Sequence, residues 1–210
     1  NEALLSEFIK LIRAKNFSLL NRQSTTMQAE RVYCNHPEKI RQDHIHYCCS
    51  HPDGHNDITE ACAKKTGFKL PAANEEAVED VTIEQVIHDL CWADCVFDKF
   101  GFIDHQNKLD MNEVRKYYST IHFNDPEYMK EMIDAFEHCH GEPEAVTSKF
   151  VNSLTGVAGT KNCQSQSGII LSCVIYRFFH NCPRNRWANT TECEQTLKFA
   201  KKCKDVLTNM

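Results

Sequence analysis

Twelve cysteines, spread from Cys34 to Cys203, are the side chains of this sequence best equipped for chemistry. As thiolates they would ligate zinc or exchange electrons; as disulfides they would staple a fold in an oxidising compartment. Spacing speaks against the first two uses. The CxxC pairs of a zinc ribbon or a thioredoxin-like centre are absent, Cys91-x3-Cys95 being the nearest to one. The number is even, and 12 in 210 residues is dense for a chain long enough to bury a core without crosslinks. Six disulfides and export are the expectation.

A second group with chemical potential is His36, His44, His46, His51 and His55, crowded into one segment. Metal binding is one use of such a cluster, but disulfide-bonded cysteines supply no thiolate, so solvated imidazoles are the simpler reading. Those imidazoles titrate between about pH 5 and 8, so acid is expected to loosen the segment. Cys48-Cys49-Ser50-His51 has the look of the cysteine pair and histidine of secreted phospholipases, where a histidine activates water beside a calcium-bound carbonyl. The histidine stands at the wrong distance, and no Gly-rich calcium loop lies near it. Asp104 to Glu113 is acidic enough for a calcium loop, yet Lys108 and Leu109 occupy positions where a ligand oxygen and the turn glycine belong. With no Gly-x-Ser-x-Gly elbow, phosphate-cradling loop or His-Glu-x-x-His, neither an enzyme nor a cofactor is expected.

Charge narrows the partners. A net charge of −5 and the lack of long Lys or Arg runs argue against nucleic acid. Ala3 to Leu20 is apolar but interrupted by Glu7, Lys10, Arg13, Lys15 and Asn16, which fits neither a membrane span nor a signal peptide. Asn1 is accordingly expected to be a mature terminus. Asn16-Phe-Ser and Asn189-Thr-Thr match the glycosylation pattern of exported proteins.

The elements that must position these groups read as helices. Leu4, Leu5, Phe8, Ile9, Leu11 and Ile12 recur at helical spacing ahead of the first cysteine, outside every staple, and offer a face for a homodimer. Residues 34 to 57 are loop-like. Helices are predicted over Thr59 to Thr66 and over Ile83 to Phe100, the latter opened by Thr82-x-x-Gln85 and stopped at Gly101. Another runs from the Asp110 cap to about Tyr118, and a further one from Asp125-Pro126 to near Gly141. A short helix is expected around Ala145 to Leu154. Cys163 to Asn181 is apolar on nearly every side, as a central buried helix would be, and Pro183 ends it. A last helix spans about Thr191 to Leu207. No convincing alternating strand appears, so the fold class is all-α: a disulfide-stapled compact helical bundle with N- and C-terminal extensions.

Cys91 and Cys95 lie on one face of their helix, so that helix can be anchored to two different neighbours. Cys173 and Cys182 do the same for the buried helix. The residues expected to face inward, and so to line a ligand cavity if one exists, are Val96, Phe97, Met111, Val114, Tyr118, Met132, Ile133, Phe136, Val174, Phe178 and Phe179. Plain packing accounts for each alone; bulky aromatics and adaptable methionines together, inside a cage whose staples tolerate a void, favour a pocket. Tyr117, Tyr118 and His180 are candidates for an orienting hydrogen bond.

Cys62-Ala-Lys-Lys-Thr-Gly, Cys91-Trp-Ala-Asp-Cys95-Val-Phe-Asp-Lys-Phe-Gly-Phe-Ile-Asp and Asn107-Lys-Leu-Asp-Met resemble the first half of an insect odorant-binding protein. Cys163-x9-Cys173-x8-Cys182-Pro-x9-Cys193-x9-Cys203, with Cys34 and the Cys48-Cys49 doublet, resembles the Plus-C subclass. The resemblance covers roughly Cys34 to Cys203. It implies a fourth family cysteine at Cys139 and bridges Cys62 to Cys95, Cys91 to Cys173 and Cys139 to Cys182. Pairing of Cys34, Cys48, Cys49, Cys163, Cys193 and Cys203 stays open among 15 arrangements. It divides the chain into an N-terminal helix and linker (1–33), a Cys/His-rich segment (34–61), an odorant-binding-like core (62–183) and a tethered extension (184–210). It further implies a secreted carrier of small hydrophobic or volatile molecules in sensory lymph, acting with a sensory receptor. The alternatives are a secreted interaction or defence protein with a filled core and a secreted calcium-dependent hydrolase.

Overall fold

A computed structural model describes residues 47–52, 56–70, 83–140 and 163–202. Within them the chain forms helices α1 (Asp57–Thr66), α2 (Ile83–Phe100), α3 (Met111–Ile121), α4 (Pro126–His140), α5 (Ser165–His180) and α6 (Thr191–Lys202), with a 3-10 turn at Arg184–Arg186. No strand occurs among the described residues; two isolated bridges pair Cys49 with Trp187 and Ile103 with Leu109. The all-α expectation holds.

Local chemistry sets most of the boundaries. α1 starts two residues ahead of the expected Thr59 because Asn56 caps it, accepting from the Ile58 and Thr59 amides while the Thr59 hydroxyl accepts from the Asn56 amide. Gly67 closes it at φ 77°, a left-handed conformation that only glycine adopts cheaply. Asp110 caps α3 by accepting from the Asn112 and Glu113 amides. That helix runs three residues past the expected Tyr118, and its closing amide, from His122, reaches the Tyr118 carbonyl. Asp125 accepts from the Tyr128 amide at 3.1 Å to open α4 ahead of Pro126. Thr190 does likewise for α6 through the Cys193 amide.

α5 is the central element, packed against α2, α4 and α6, while α1 lies on α2 and α3 on α4. Its approach to α2 is close: a Cβ built on Gly168 would fall 2.4 Å from Leu90 Cδ2 and 3.3 Å from Leu90 Cα. At the same end, Asp94 of α2 accepts from the Gln164 amide at 3.0 Å and from the Ser167 hydroxyl at 3.4 Å, capping α5 from a neighbouring helix.

Among the described residues five disulfides fix this arrangement: Cys62–Cys95, Cys91–Cys163, Cys139–Cys173, Cys49–Cys182 and Cys48–Cys193. The first is the implied pair. The implied Cys91–Cys173 and Cys139–Cys182 are not formed, and each partner is instead the preceding cysteine. Helix geometry explains the correction. Ten residues of helix rise roughly 15 Å, so Cys91, beside the start of α5, reaches Cys163 and not Cys173. Cys173 faces the end of α4 with a Cα separation of 6.0 Å to Cys139. Cys182, beyond the helix, is left for Cys49. Cys34, Cys203, Thr82, the helices expected over 3–20 and 145–154, and His36, His44, His46 and His55 lie outside the described residues.

Candidate functional site

The face of α4 that meets the bundle is spaced i, i+4, i+8: Tyr128, Met132 and Phe136, with Cys139 one turn on, all buried. Val114 and Tyr118 of α3 bring a four-residue repeat of the same kind to it. α5 adds Ile170, Val174, Phe178 and Phe179, and α2 adds Phe97. Phe102 enters from the turn after Gly101, held there by its amide to the Phe97 carbonyl and its carbonyl to the Asp110 amide. These side chains make one continuous interior.

Of the residues expected inside, Phe97, Val114, Tyr118, Met132, Phe136, Val174, Phe178 and Phe179 are buried in this cluster, and Met111 and Ile133 pack on it half-buried. Val96 does not join them. It lies in a separate group with Cys62 and Cys95, where Ile58 and Trp92 also pack. Consecutive residues on a helix diverge by about 100°, so Phe97 and Val96 must face different neighbours. His180 is also apart from the candidate tyrosines: its ring lies 4.3 Å from that of Tyr176, whose hydroxyl donates to the Ala200 carbonyl at 3.0 Å. Burial pushes the Tyr176 phenol up to about 12.

The interior is notable for its rings. Phe136 has Phe97, Phe102 and Tyr118 at 5.7 to 6.0 Å between centroids. Tyr128 extends the run to Phe178 at 5.3 Å, and Phe178 meets His51 at 4.4 Å. Tyr117 closes the side of Phe100 and Phe102. Such edge and tilted arrangements each add about 0.5–1.5 kcal/mol beyond area burial. His51, which the hydrolase reading would place beside a calcium-bound water, is instead packed on Phe178 and edge-on to Tyr128. Among the described residues no group of three or more His, Cys, Asp or Glu could hold a metal ion.

A polar rim borders the rings. His122 lies 5.6 Å from Tyr118 and 4.9 Å from Tyr128, and the Arg186 guanidinium sits 4.6 Å above the Tyr128 ring. Arg186 also pairs with Asp125 through Nε and Nη2 and donates through Nη1 to the Ser50 carbonyl. It therefore joins the Cys49 segment, the start of α4 and the connector after Pro183. The hydrogen bond from Arg186 is the main reason the Asp125 carboxyl is held below the usual range. Burial first, then Arg186, lowers His122. Burial raises Tyr128, and burial together with the neighbouring phenols raises Tyr118 well above its ordinary value, so both stay neutral.

Phe102, Tyr128, His122 and Arg186 are not among the residues expected from the sequence, and His51, expected in a solvated segment, packs on the interior instead. Tyr128 was within reach, standing four residues before Met132; the others are brought in by turns and by the bridges of Cys48 and Cys49.

The AgamOBP47-like family matches residues 55–199. General odorant-binding protein 67 of Anopheles gambiae is 24% identical over 156 residues, which cover 74% of this chain and 71% of that protein. No solved structure matches the chain significantly.

Proposed function

Since the chain belongs to the AgamOBP47-like family of insect odorant-binding proteins, we propose that it is an extracellular carrier, of Plus-C type, that encloses a small hydrophobic molecule and moves it through sensory fluid. The observation carrying this reading is the aromatic interior, gathered from four helices and a turn and held by disulfides. No bond is made or broken in such a role. Delivery to a sensory receptor and dimerisation through residues 3–20 extend the proposal; removal of those residues is expected to leave a monomer in sedimentation if that face is the dimer contact.

A second reading has its own support. Ring centroids 4.4 to 6.2 Å apart are already in contact, which suits a filled core whose surface does the binding. Probe displacement separates the two. A carrier takes up a naphthylamine probe with a blue-shifted, enhanced emission and yields it to small apolar competitors. A filled core does neither, and that result would overturn the carrier.

A further inference from the structure

Tyr118 and Tyr128 are 7% and 5% exposed, yet neither hydroxyl meets a hydrogen-bond partner among the described residues. A buried tyrosine hydroxyl ordinarily has one. The rings are 6.2 Å apart, on α3 and α4. They touch the apolar rings, Tyr118 against Phe136 at 5.8 Å and Tyr128 against Phe178 at 5.3 Å. His122 lies 5.6 Å from Tyr118 and 4.9 Å from Tyr128.

We propose that the Tyr118 and Tyr128 hydroxyls form the polar subsite of the interior and donate to an uncharged oxygen (carbonyl, ester, ether or alcohol) on a ligand whose apolar part lies among Phe97, Phe102, Phe136 and Phe178. This rests on the carrier reading and adds the class of cargo. A phenol has one donor to give, and burial keeps both phenols protonated, so they offer hydrogen bonds and no negative charge. The nearby cation does not favour an anionic cargo. Arg186 pairs with Asp125 through Nε and Nη2 and spends an Nη1 hydrogen on the Ser50 carbonyl, so its charge is already compensated by a carboxylate of this chain.

Three molecules of nearly one shape test the assignment on the full, oxidised chain: acetophenone, α-methylstyrene, in which a methylene replaces the carbonyl oxygen, and benzoate. Calorimetry is run on the wild type and on Tyr118→Phe/Tyr128→Phe, which keeps both rings. The double substitution is expected to weaken acetophenone about tenfold, the measure of one or two neutral hydrogen bonds, and to leave α-methylstyrene within about twofold. Benzoate should bind the wild type at least about tenfold more weakly than acetophenone. If α-methylstyrene binds but acetophenone is unaffected by the double substitution, or if benzoate matches acetophenone, the subsite is overturned and the carrier stands. If none of the three, nor the naphthylamine probe, binds the wild type, the carrier reading falls and takes the subsite with it.

Discussion

Gly168→Ala tests the contact on which the whole bundle hangs, the seam between α2 and α5. In an exposed helix this change would stabilise by about 0.5–1 kcal/mol, since alanine orders the backbone more cheaply than glycine. Here the added methyl meets Leu90 on both counts: its Cδ2 at 2.4 Å, which a rotamer change relieves, and its Cα at 3.3 Å, which only a shift of the helices relieves. The Cys91–Cys163 bridge and the Asp94 cap hold the helices together beside this point and oppose that shift. Overpacking of this kind costs about 1–3 kcal/mol, so a net loss of about 1 kcal/mol is expected, and more for Gly168→Val. Urea titration at neutral pH, followed by helical ellipticity with the disulfides intact, measures it. Leu90→Ala alone should cost about 2–5 kcal/mol, and the pair should couple, because the methyl of Gly168→Ala then enters the space Leu90 leaves. A Gly168→Ala protein more stable than wild type, or strict additivity in the double variant, would refute the close approach.

Non-reducing peptide mapping should recover Cys91–Cys163, Cys139–Cys173, Cys49–Cys182, Cys48–Cys193 and Cys62–Cys95; a Cys91–Cys173 peptide would contradict the helical-rise argument. Because burial holds His122 below its ordinary value, the unfolded chain binds more protons than the folded one, and stability should decline as pH falls below about 6.5. His122→Gln should flatten that part of the profile, and an unchanged slope would show that other groups set it. Asp94→Ala removes the cap of α5 and should lower stability by about 1 kcal/mol, while Asp94→Asn, which keeps an acceptor, should recover most of it in the same titration.

Caps made the helices legible. Asp110, and Asp125 ahead of Pro126, act within three residues of themselves, so the start of each helix could be read from the chain alone. The disulfide pairing was less open to such reading, because it depends on how far along α5 each cysteine sits relative to α2 and α4. The interior was legible as a set and not residue by residue: apolarity marks both Val96 and Phe97, but only the orientation of α2 against α1 and α5 sends one to each cluster. Arg186 shows the limit most clearly. It reads as one base in a basic connector, and its meaning comes from Asp125, 61 residues away, and from Ser50, 136 residues away.

The Cys48–Cys193 bridge joins two points 145 residues apart, which makes this part of the protein a covalent ring. A protease that cuts once anywhere inside the ring releases nothing, since the two ends remain tied, and the wound is visible only after reduction. Loss of a fragment needs two cuts between neighbouring cysteines. The longest such span inside the ring is the 43 residues between Cys95 and Cys139, which contains α3, Tyr118 and Tyr128. Limited digestion therefore has its longest releasable fragment in this arc, and a cargo seated against those two tyrosines would shield it.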